Sequence, residues 1–245
     1  MYKIVAFDLD DTLTPAKSPA DAEMIDLLWK LLEKTKVAII TWGKFETINM
    51  QIISHFKNDN LLKNLYILPT IWTSMYTYEN WTWDLKYKDD LSEDEVKHIK
   101  NVLEKAIRDL NLIPGKVWGE IVENRWSQIT YSALWQKAPL EEKKKYDKDR
   151  KKRMKIIDYI KDELKDFSIW IWWTTSIDIT KKWMDKSYWI EKLLTYLNFN
   201  KKDILFVWDA LFEWWNDYPV KKLWIETIQV SSPQDTKILI KKLIS

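Results

Sequence analysis

The fold of this chain is constrained most by how its apolar runs end. Tyr2 to Phe7 is a short apolar run that delivers Asp8-Leu9-Asp10-Asp11-Thr12-Leu13-Thr14 at its carboxyl end. An uninterrupted run of this length reads as a buried strand. In an open α/β sheet the carboxyl ends of such strands border the crevice where ligands bind. Two carboxylates two residues apart, followed by a threonine, then suggest phosphoryl transfer: one Asp to attack phosphorus, one to handle the proton, and a metal between them. The competing reading is a turn that shows its acids to solvent, because Asp is common in turns.

The alternation of strand and helix continues from there. Pro19 to Lys34 carries helical spacing through Met24, Leu27, Leu28, Leu31 and Leu32, with a start at Ser18-Pro19. Val37 to Ile40 reads as a second buried strand ending at Thr41, and Leu65 to Leu68 as a third. Between them, Phe45 to Phe56 reads as a helix that Thr41 could cap. Thr41 also has the chemistry to hold phosphate oxygens, with backbone N–H groups behind it. Both roles can coexist.

The pattern then changes. Trp72 to Tyr87 alternates polar and apolar residues like a half-exposed hairpin, and Ser92 to Leu110 is an amphipathic helix opening on the capping box Ser92-Glu93-Asp94-Glu95. After the turn at Pro114-Gly115, strands are expected over Val117 to Asn124 and Ser127 to Leu134. A helix is expected over Asp149 to Leu164, and a strand pair over Phe167 to Ile171 and Thr174 to Ile179. Two helices with paired antiparallel strands describe an α+β insert, placed at about 76–182. The parallel pattern resumes with a helix from Lys186 to Leu197 and a strand from Asp203 to Val207 tipped by Trp208-Asp209. A short helix from Asp217 to Lys222, a strand from Ile225 to Val230 and a helix from Asp235 to Ile244 complete it. The expected fold is α/β, with a discontinuous core at 1–75 and 183–245.

Charge and cysteine content narrow the function. With 39 basic against 37 acidic residues the net charge is +2, which gives no case for nucleic acid or a membrane as partner. The basic stretch from Glu141 through Arg153 reads as a solvated helix face. No Cys is present, so disulfide and thiolate chemistry are excluded. No signal peptide or long apolar span is seen, and a cytoplasmic protein is expected.

One count is abnormal: 17 Trp and 3 Gly. Ordinary glycine usage would give about 17 in a chain of this length. Many of the Trp sit where a chain usually turns, in Thr41-Trp42-Gly43, Asn80-Trp81-Thr82, Trp172-Trp173-Thr174 and Trp214-Trp215-Asn216-Asp217. Such turns need positive φ or close backbone approach, which Gly supplies and Trp resists. Some bacterial genetic codes read UGA as Gly where another code table prints Trp, and most of these Trp are expected to be of that origin. Trp83 has a strand setting that suits a genuine Trp.

Asp8 and Asp10, Thr41, Lys186, and Asp209 with Asn216 and Asp217 together resemble the four motifs of the haloacid dehalogenase (HAD) superfamily. Asp11 stands where that family commonly has Gly, and Val207-Trp208-Asp209 through Trp214-Trp215-Asn216-Asp217 matches once Trp is read as Gly. The resemblance implies a Rossmann-like core with a parallel sheet and an inserted α+β cap of type C2. It also implies an aspartyl-phosphate mechanism. Asp8 would be the nucleophile and Asp10 the general acid and base. Mg²⁺ would be held by Asp8, the backbone carbonyl of Asp10 and Asp209, with Asn216 and Asp217 in support. Thr41 and Lys186 would hold the phosphoryl oxygens.

The position of the insert resembles subfamily IIB, which holds sugar phosphatases and the eukaryotic-type phosphomannomutases. Glu123-Asn124-Arg125-Trp126-Ser127 and Thr174-Thr175-Ser176-Ile177-Asp178 resemble mutase segments, and Trp183-Met184-Asp185-Lys186 continues the match. The likeness implies that Arg125 grips a distal phosphate, that Ser176 and Asp178 contact the sugar, and that a homodimer forms through the cap. Without the family context, Ser176 and Asp178 would be an exposed strand face. A mutase cap carries several arginines for the second phosphate; here only Arg125 clearly remains. Lys17, Gln136, Trp118 and Lys143 stand near or at the other expected positions. Lys cannot reproduce the bidentate fork of Arg. This loss favours a Mg²⁺-dependent sugar-phosphate hydrolase, with phosphomannomutase as the alternative. A non-catalytic phosphosugar-binding protein is the remote one, since Asp8 and Asp10 are both retained. A P-loop kinase is excluded by the lack of a Gly-rich loop ending in Lys and Ser or Thr.

Overall fold

The computed structural model describes residues 2–41, 43–69, 73–135, 137–172, 175–182, 186–209 and 224–245, with the backbone alone at 172, 186, 187 and 189. The chain divides into two compact units, Met1–Lys88 with Asp185–Ser245, and Asp89–Met184. In chain order the first unit opens with β1 (Ile4–Asp8), α1 (Ala22–Lys34), β2 (Lys36–Ile40), α2 (Phe45–Gln51), β3 (Leu65–Leu68), β4 (Ser74–Glu79) and β5 (Thr82–Lys88). The second holds α3 (Glu93–Asp109), β6 (Val122–Asn124), β7 (Gln128–Ser132), α4 (Leu140–Tyr146), α5 (Lys151–Ile160), β8 (Phe167–Trp172) and β9 (Ser176–Lys181). The chain returns to the first with α6 (Lys186–Leu197), β10 (Ile204–Trp208), β11 (Glu226–Gln229) and α7 (Pro233–Ile244).

The first unit is built on a seven-stranded sheet in the order β11-β10-β1-β2-β3-β4-β5. Its first five strands are parallel, and β4 and β5 add an antiparallel edge. Ile4, Val5, Ala6 and Phe7 are fully buried, as a central strand covered on both faces must be. In α1, Met24, Ile25, Leu27, Leu28, Leu31 and Leu32 recur at helical spacing and are all buried. Each such side chain stabilises by about 1.5–3 kcal/mol. Asp21 starts the helix by accepting the Met24 N–H at 2.9 Å.

The hairpin expected inside the insert belongs to the core sheet instead. Tyr66 pairs with Thr77 and Ile67 with Tyr76, so β4 and β5 extend the sheet and the unit boundary falls after Lys88 rather than at 75/76. Tyr76 and Trp83 pack against Phe45, tilted at 4.7 Å and edge-on at 5.6 Å, which gives this half-polar ribbon an apolar reason to pack there. The helix expected over Phe45 to Phe56 stops at Gln51 and gives way to a tight turn at Ile53–His55. The β-branched Ile52, with φ −130°, breaks it.

The second unit is a four-stranded antiparallel sheet, β6-β7-β9-β8, with α3 and α5 on one face. Ile129, Tyr131, Ile177 and Ile179 meet Ile99, Leu103, Ile156 and Ile160 in one apolar cluster. The first expected strand shrinks to Val122–Asn124. The helix expected from Asp149 begins at Lys151, because the Asp147 carboxylate accepts the N–H of Lys152 at 2.9 Å and of Arg153 at 3.2 Å. The basic stretch is solvated in α4, which buries no residue, but its last member is not: Arg153 is buried against Asp147 at 2.7 Å. The expected helix Asp217 to Lys222 lies outside the described residues. Among the described residues no helix is long and apolar enough to cross a membrane.

Ten described non-glycine residues hold positive φ, and four are tryptophans: Trp81 (64°), Trp126 (71°), Trp135 (81°) and Trp224 (58°). No described glycine does. Other tryptophans fill ordinary aromatic niches. Trp29 packs tilted against Phe56 at 5.4 Å, Trp83 edge-on to Tyr78 at 5.2 Å, and buried Trp208 tilted against Phe206 at 5.5 Å.

Candidate active site

The carboxyl end of β1 lies between its two parallel neighbours. Phe7 is level with Val207 and Asp8 with Ile40, so Asp8, Asp209 and Thr41 all leave the sheet along one edge. Leu9 and Leu13, both buried, pin the loop that follows, and the N–H groups of Leu13 and Thr14 donate to Leu9 O. Asp11 closes the turn in the left-handed region at φ 58°, donating its N–H to Thr14 O at 2.7 Å. Gly is common at this point for that reason, and Asp is one of the few other residues to tolerate it.

The polar groups of this loop are held from several sides. Asp8 Oδ1 accepts the Leu9 N–H at 3.0 Å. Asp10 Oδ1 accepts the Lys17 N–H at 2.9 Å and an Nε2–H of Gln51 at 3.3 Å. Thr12, fully buried, directs its hydroxyl toward Asp209 Oδ1 at 3.5 Å and so ties the β1 loop to the tip of β10. Thr41 is buried, its N–H donates to Leu68 O, and its Oγ1 accepts the Gly43 N–H at 3.1 Å. That acceptor role points the hydroxyl proton elsewhere, as an oxyanion donor requires.

The donor set suits a hard divalent cation. Asp8, Asp209 and a backbone carbonyl after β1 offer oxygen atoms on adjacent strand ends, the donor type that Mg²⁺ prefers. Among the described residues no three His, Asp or Glu side chains gather closely enough to hold a metal. The expected set includes only two metal-binding carboxylates beside the Asp10 carbonyl, so it does not require such a gathering. Lys186 opens α6, and only its backbone is described. Asn216 and Asp217 lie outside the described residues, as do Trp214, Trp215 and Gln136.

In the second unit the sheet face opposite the helices carries its own polar set. Register pairs Gln128 with Thr180, Thr130 with Asp178 and Ser132 with Ser176. Period-two alternation puts all six on one face, away from Ile129, Tyr131, Ile177 and Ile179. Asp178 is only 2% exposed, and Gln128, Thr130, Ser132 and Thr180 are equally buried. Gln128 donates to Thr130 Oγ1 at 2.8 Å. Gln128 Oε1, Asp178 Oδ1 and Thr180 Oγ1 are buried with no hydrogen-bond partner among the described residues. Burial holds the Asp178 carboxyl above the usual carboxylate range, opposed by a hydrogen bond from Thr130 and the charge of Arg125. Unsatisfied buried groups of this kind mark a face built for something more than packing.

The strand pattern alone places Ser176 and Asp178 on an exposed face; Asp178 is buried and Ser176 half-buried. Gln128, Thr130 and Thr180 were not anticipated as part of it. The signal was the polar alternation Gln128-x-Thr130-x-Ser132 against Ser176-x-Asp178-x-Thr180, visible once the two strands are aligned. Arg125 sits in the β6–β7 connection with its side chain 15% exposed, held by Glu123 at 3.2 Å. Lys17 is exposed and contributes its backbone to Asp10, and Trp118 is half-buried under Lys116 at 4.8 Å.

A carboxylate pair, a hydroxyl donor and oxygen ligands on one sheet edge can attack phosphorus, move a proton and hold a cation. Comparison with known proteins bears on the family and the fold. The family model described as eukaryotic phosphomannomutase matches residues 24–245. Phosphomannomutase 2 of Dictyostelium discoideum is 27% identical over 245 residues, covering 97% of this chain and 94% of that protein. Among solved structures, an N-terminally truncated, IMP-bound IMP-nucleotidase of Plasmodium falciparum superposes with a TM-score of 0.68 at 18% identity, covering 99% of this chain and 68% of that one. A haloacid dehalogenase-like hydrolase from Bacteroides thetaiotaomicron does so with a TM-score of 0.66 at 12% identity, covering 99% and 100%. At these identities the structures bear on the fold alone.

Proposed function

Because the chain belongs to the eukaryotic phosphomannomutase family, within the HAD superfamily, we propose that it interconverts mannose 1-phosphate and mannose 6-phosphate. The observation that carries this reading is the convergence of Asp8, Thr41 and Asp209 on one sheet edge, with Asp10 in the adjoining loop. A carboxylate oxygen of Asp8 attacks phosphorus, and the new O–P bond forms as the bond to the sugar oxygen breaks. Asp10 gives its proton to that leaving oxygen. It later takes one from the hydroxyl that attacks the aspartyl-phosphate, so the acid of one half becomes the base of the other. Thr41 donates its hydroxyl proton to a phosphoryl oxygen, and Lys186 supplies a compensating point charge. Asp8, Asp209 and the Asp10 carbonyl would hold Mg²⁺, which would supply neutralisation of the negative charge on nucleophile and phosphate. Arg125, Ser176 and Asp178 recognise the far phosphate and the sugar hydroxyls.

Hydrolysis is the second reading, and one observation favours it. Arg125 already spends its guanidinium on Glu123, with Nη2 at 3.2 Å and Nε at 3.4 Å, and lysines stand where further arginines were expected. Weak retention of a bisphosphate intermediate would let water take the phosphoryl group. Incubation with Mg²⁺ and mannose 1-phosphate, with and without a hexose bisphosphate activator, separates the two. Mannose 6-phosphate without phosphate release is expected; steady phosphate release without isomer makes the protein a hydrolase. Asp8→Asn should abolish both products while leaving thermal unfolding unchanged.

A further inference from the structure

Gln51 belongs to no motif, yet it touches the loop that carries Asp10 at three points. It is the last residue of α2 and is fully buried. Its Nε2 lies 3.3 Å from Asp10 Oδ1, 3.2 Å from Thr14 Oγ1 and 3.0 Å from Ser18 O, and its backbone carbonyl accepts the Ala20 N–H at 2.8 Å. Its Oε1 is buried without a partner among the described residues. Leaving a buried amide oxygen unpaired is costly, so the amide orientation is being set by its donors.

We infer that Gln51 is a positioning residue for proton transfer. Asp10 Oδ1 receives two N–H donors, from Lys17 and Gln51, which fixes the carboxyl plane and leaves Oδ2 as the oxygen that carries the proton. Proton transfer contributes about 10²–10⁴-fold and depends on geometry. Removing one of the two donors lets the carboxyl swing. This inference rests on Asp10 being the acid and base of the proposed mechanism.

The test uses leaving groups. A sugar oxygen needs a proton to depart; the nitrophenolate of p-nitrophenyl phosphate does not. Gln51→Met keeps the shape without the donors, and Gln51→Glu keeps the shape while reversing them. Each should lower kcat for mannose phosphate about 100-fold with little change in KM. Phosphorylation of Asp8 by p-nitrophenyl phosphate, read as nitrophenolate release, should hold near the parent rate. Equal loss on both substrates, or none on either, overturns the inference. Asp10→Ala in the same assay keeps the two ideas apart. If it shows no leaving-group selectivity, the acid–base reading fails. If it does and the folded Gln51 variants do not, only the role of Gln51 fails.

The backbone independently carries a second inference. Asn80 and Trp81 form a two-residue hairpin loop between Glu79 and Thr82, with φ of 48° and 64°. Such a loop requires positive φ at both positions, and Asn-Gly is its strongest sequence signature. Trp126 holds φ 71° inside a three-residue turn in which the Ser127 N–H donates to Arg125 O at 2.9 Å. That turn is rare and strained for any residue with a side chain. Trp81, Trp126 and Trp224 are 74%, 63% and 92% exposed, so their indoles bury little that would offset the strain. The geometry points to glycine as the residue translated at 81, 126, 135 and 224, through a code in which UGA is glycine. Peptide mass spectrometry of the protein from its native host should find each of these four positions lighter by the difference between an indolylmethyl group and hydrogen. Peptides of tryptophan mass at these positions overturn the inference.

Discussion

Asp147 and Arg153 offer the most quantitative test of what holds the insert together. Their side chains are 0% and 3% exposed, and Arg153 Nε donates to Asp147 Oδ2 at 2.7 Å. The same carboxylate also accepts the Lys152 and Arg153 N–H groups at the start of α5. Asp147→Ala removes the carboxylate that faces a buried guanidinium, which costs about 3–5 kcal/mol, and a helix cap worth about 1 kcal/mol. Arg153 Nη2 keeps its bond to Asp147 O, a backbone atom, at 3.2 Å, so the lower part of that range applies. A loss of about 4 kcal/mol at about 2–4 °C per kcal/mol for a chain of this size lowers Tm by about 8–16 °C. The paired replacement Asp147→Leu with Arg153→Met removes both charges and should recover most of the loss. Calorimetry and urea titration read both variants. The reasoning is refuted if the single variant loses under about 1 kcal/mol, or if the double variant is as unstable as the single.

Three further outcomes are expected. Thr41→Val should lower kcat/KM about 100-fold without moving Tm, and near-parent kinetics would remove Thr41 from the phosphate site. The Asp178 carboxyl is raised above its unfolded value, so the stability tied to it is complete below the unfolded pKa and is lost as pH rises through the folded one. Asp178→Asn should therefore gain stability relative to the parent on going from acid to neutral pH while losing affinity for the sugar; parallel Tm-versus-pH curves would contradict this. Arg125→Lys keeps the charge but not the fork, and should raise KM for the hexose bisphosphate about tenfold while sparing p-nitrophenyl phosphate turnover. A KM unchanged for both substrates would place the second phosphate elsewhere.

The core was legible because buried parallel strands are written as short apolar runs, and the residue after each run is by construction at the strand tip. Asp8, Thr41 and Asp209 could be located that way before any coordinates. The hairpin of β4 and β5 was legible as a hairpin but not as part of the core sheet, since alternation specifies two faces and not a neighbour. Phe45 decided that, from a helix distant in sequence. The charged stretch ending at Arg153 read as solvated because composition cannot reveal a partner six residues back that folds inward with it. Gln51 falls inside the helix expected over Phe45 to Phe56 and in no motif, so nothing in the sequence marks it. Gln128, Thr130 and Thr180 were hidden because a polar strand face usually means water, and here it is buried.

That buried face has a consequence for the unliganded protein. Gln128 Oε1, Asp178 Oδ1 and Thr180 Oγ1 are buried with no hydrogen-bond partner among the described residues, on the face that the proposed function assigns to the sugar. Under that proposal a sugar whose hydroxyls bond to these atoms would be tied into the fold of the insert. Ligands of the right stereochemistry are then expected to raise its resistance to unfolding and proteolysis even when they carry no transferable phosphate. A panel of unphosphorylated hexoses, ranked by thermal shift alone, would report the sugar preference of the face without any turnover.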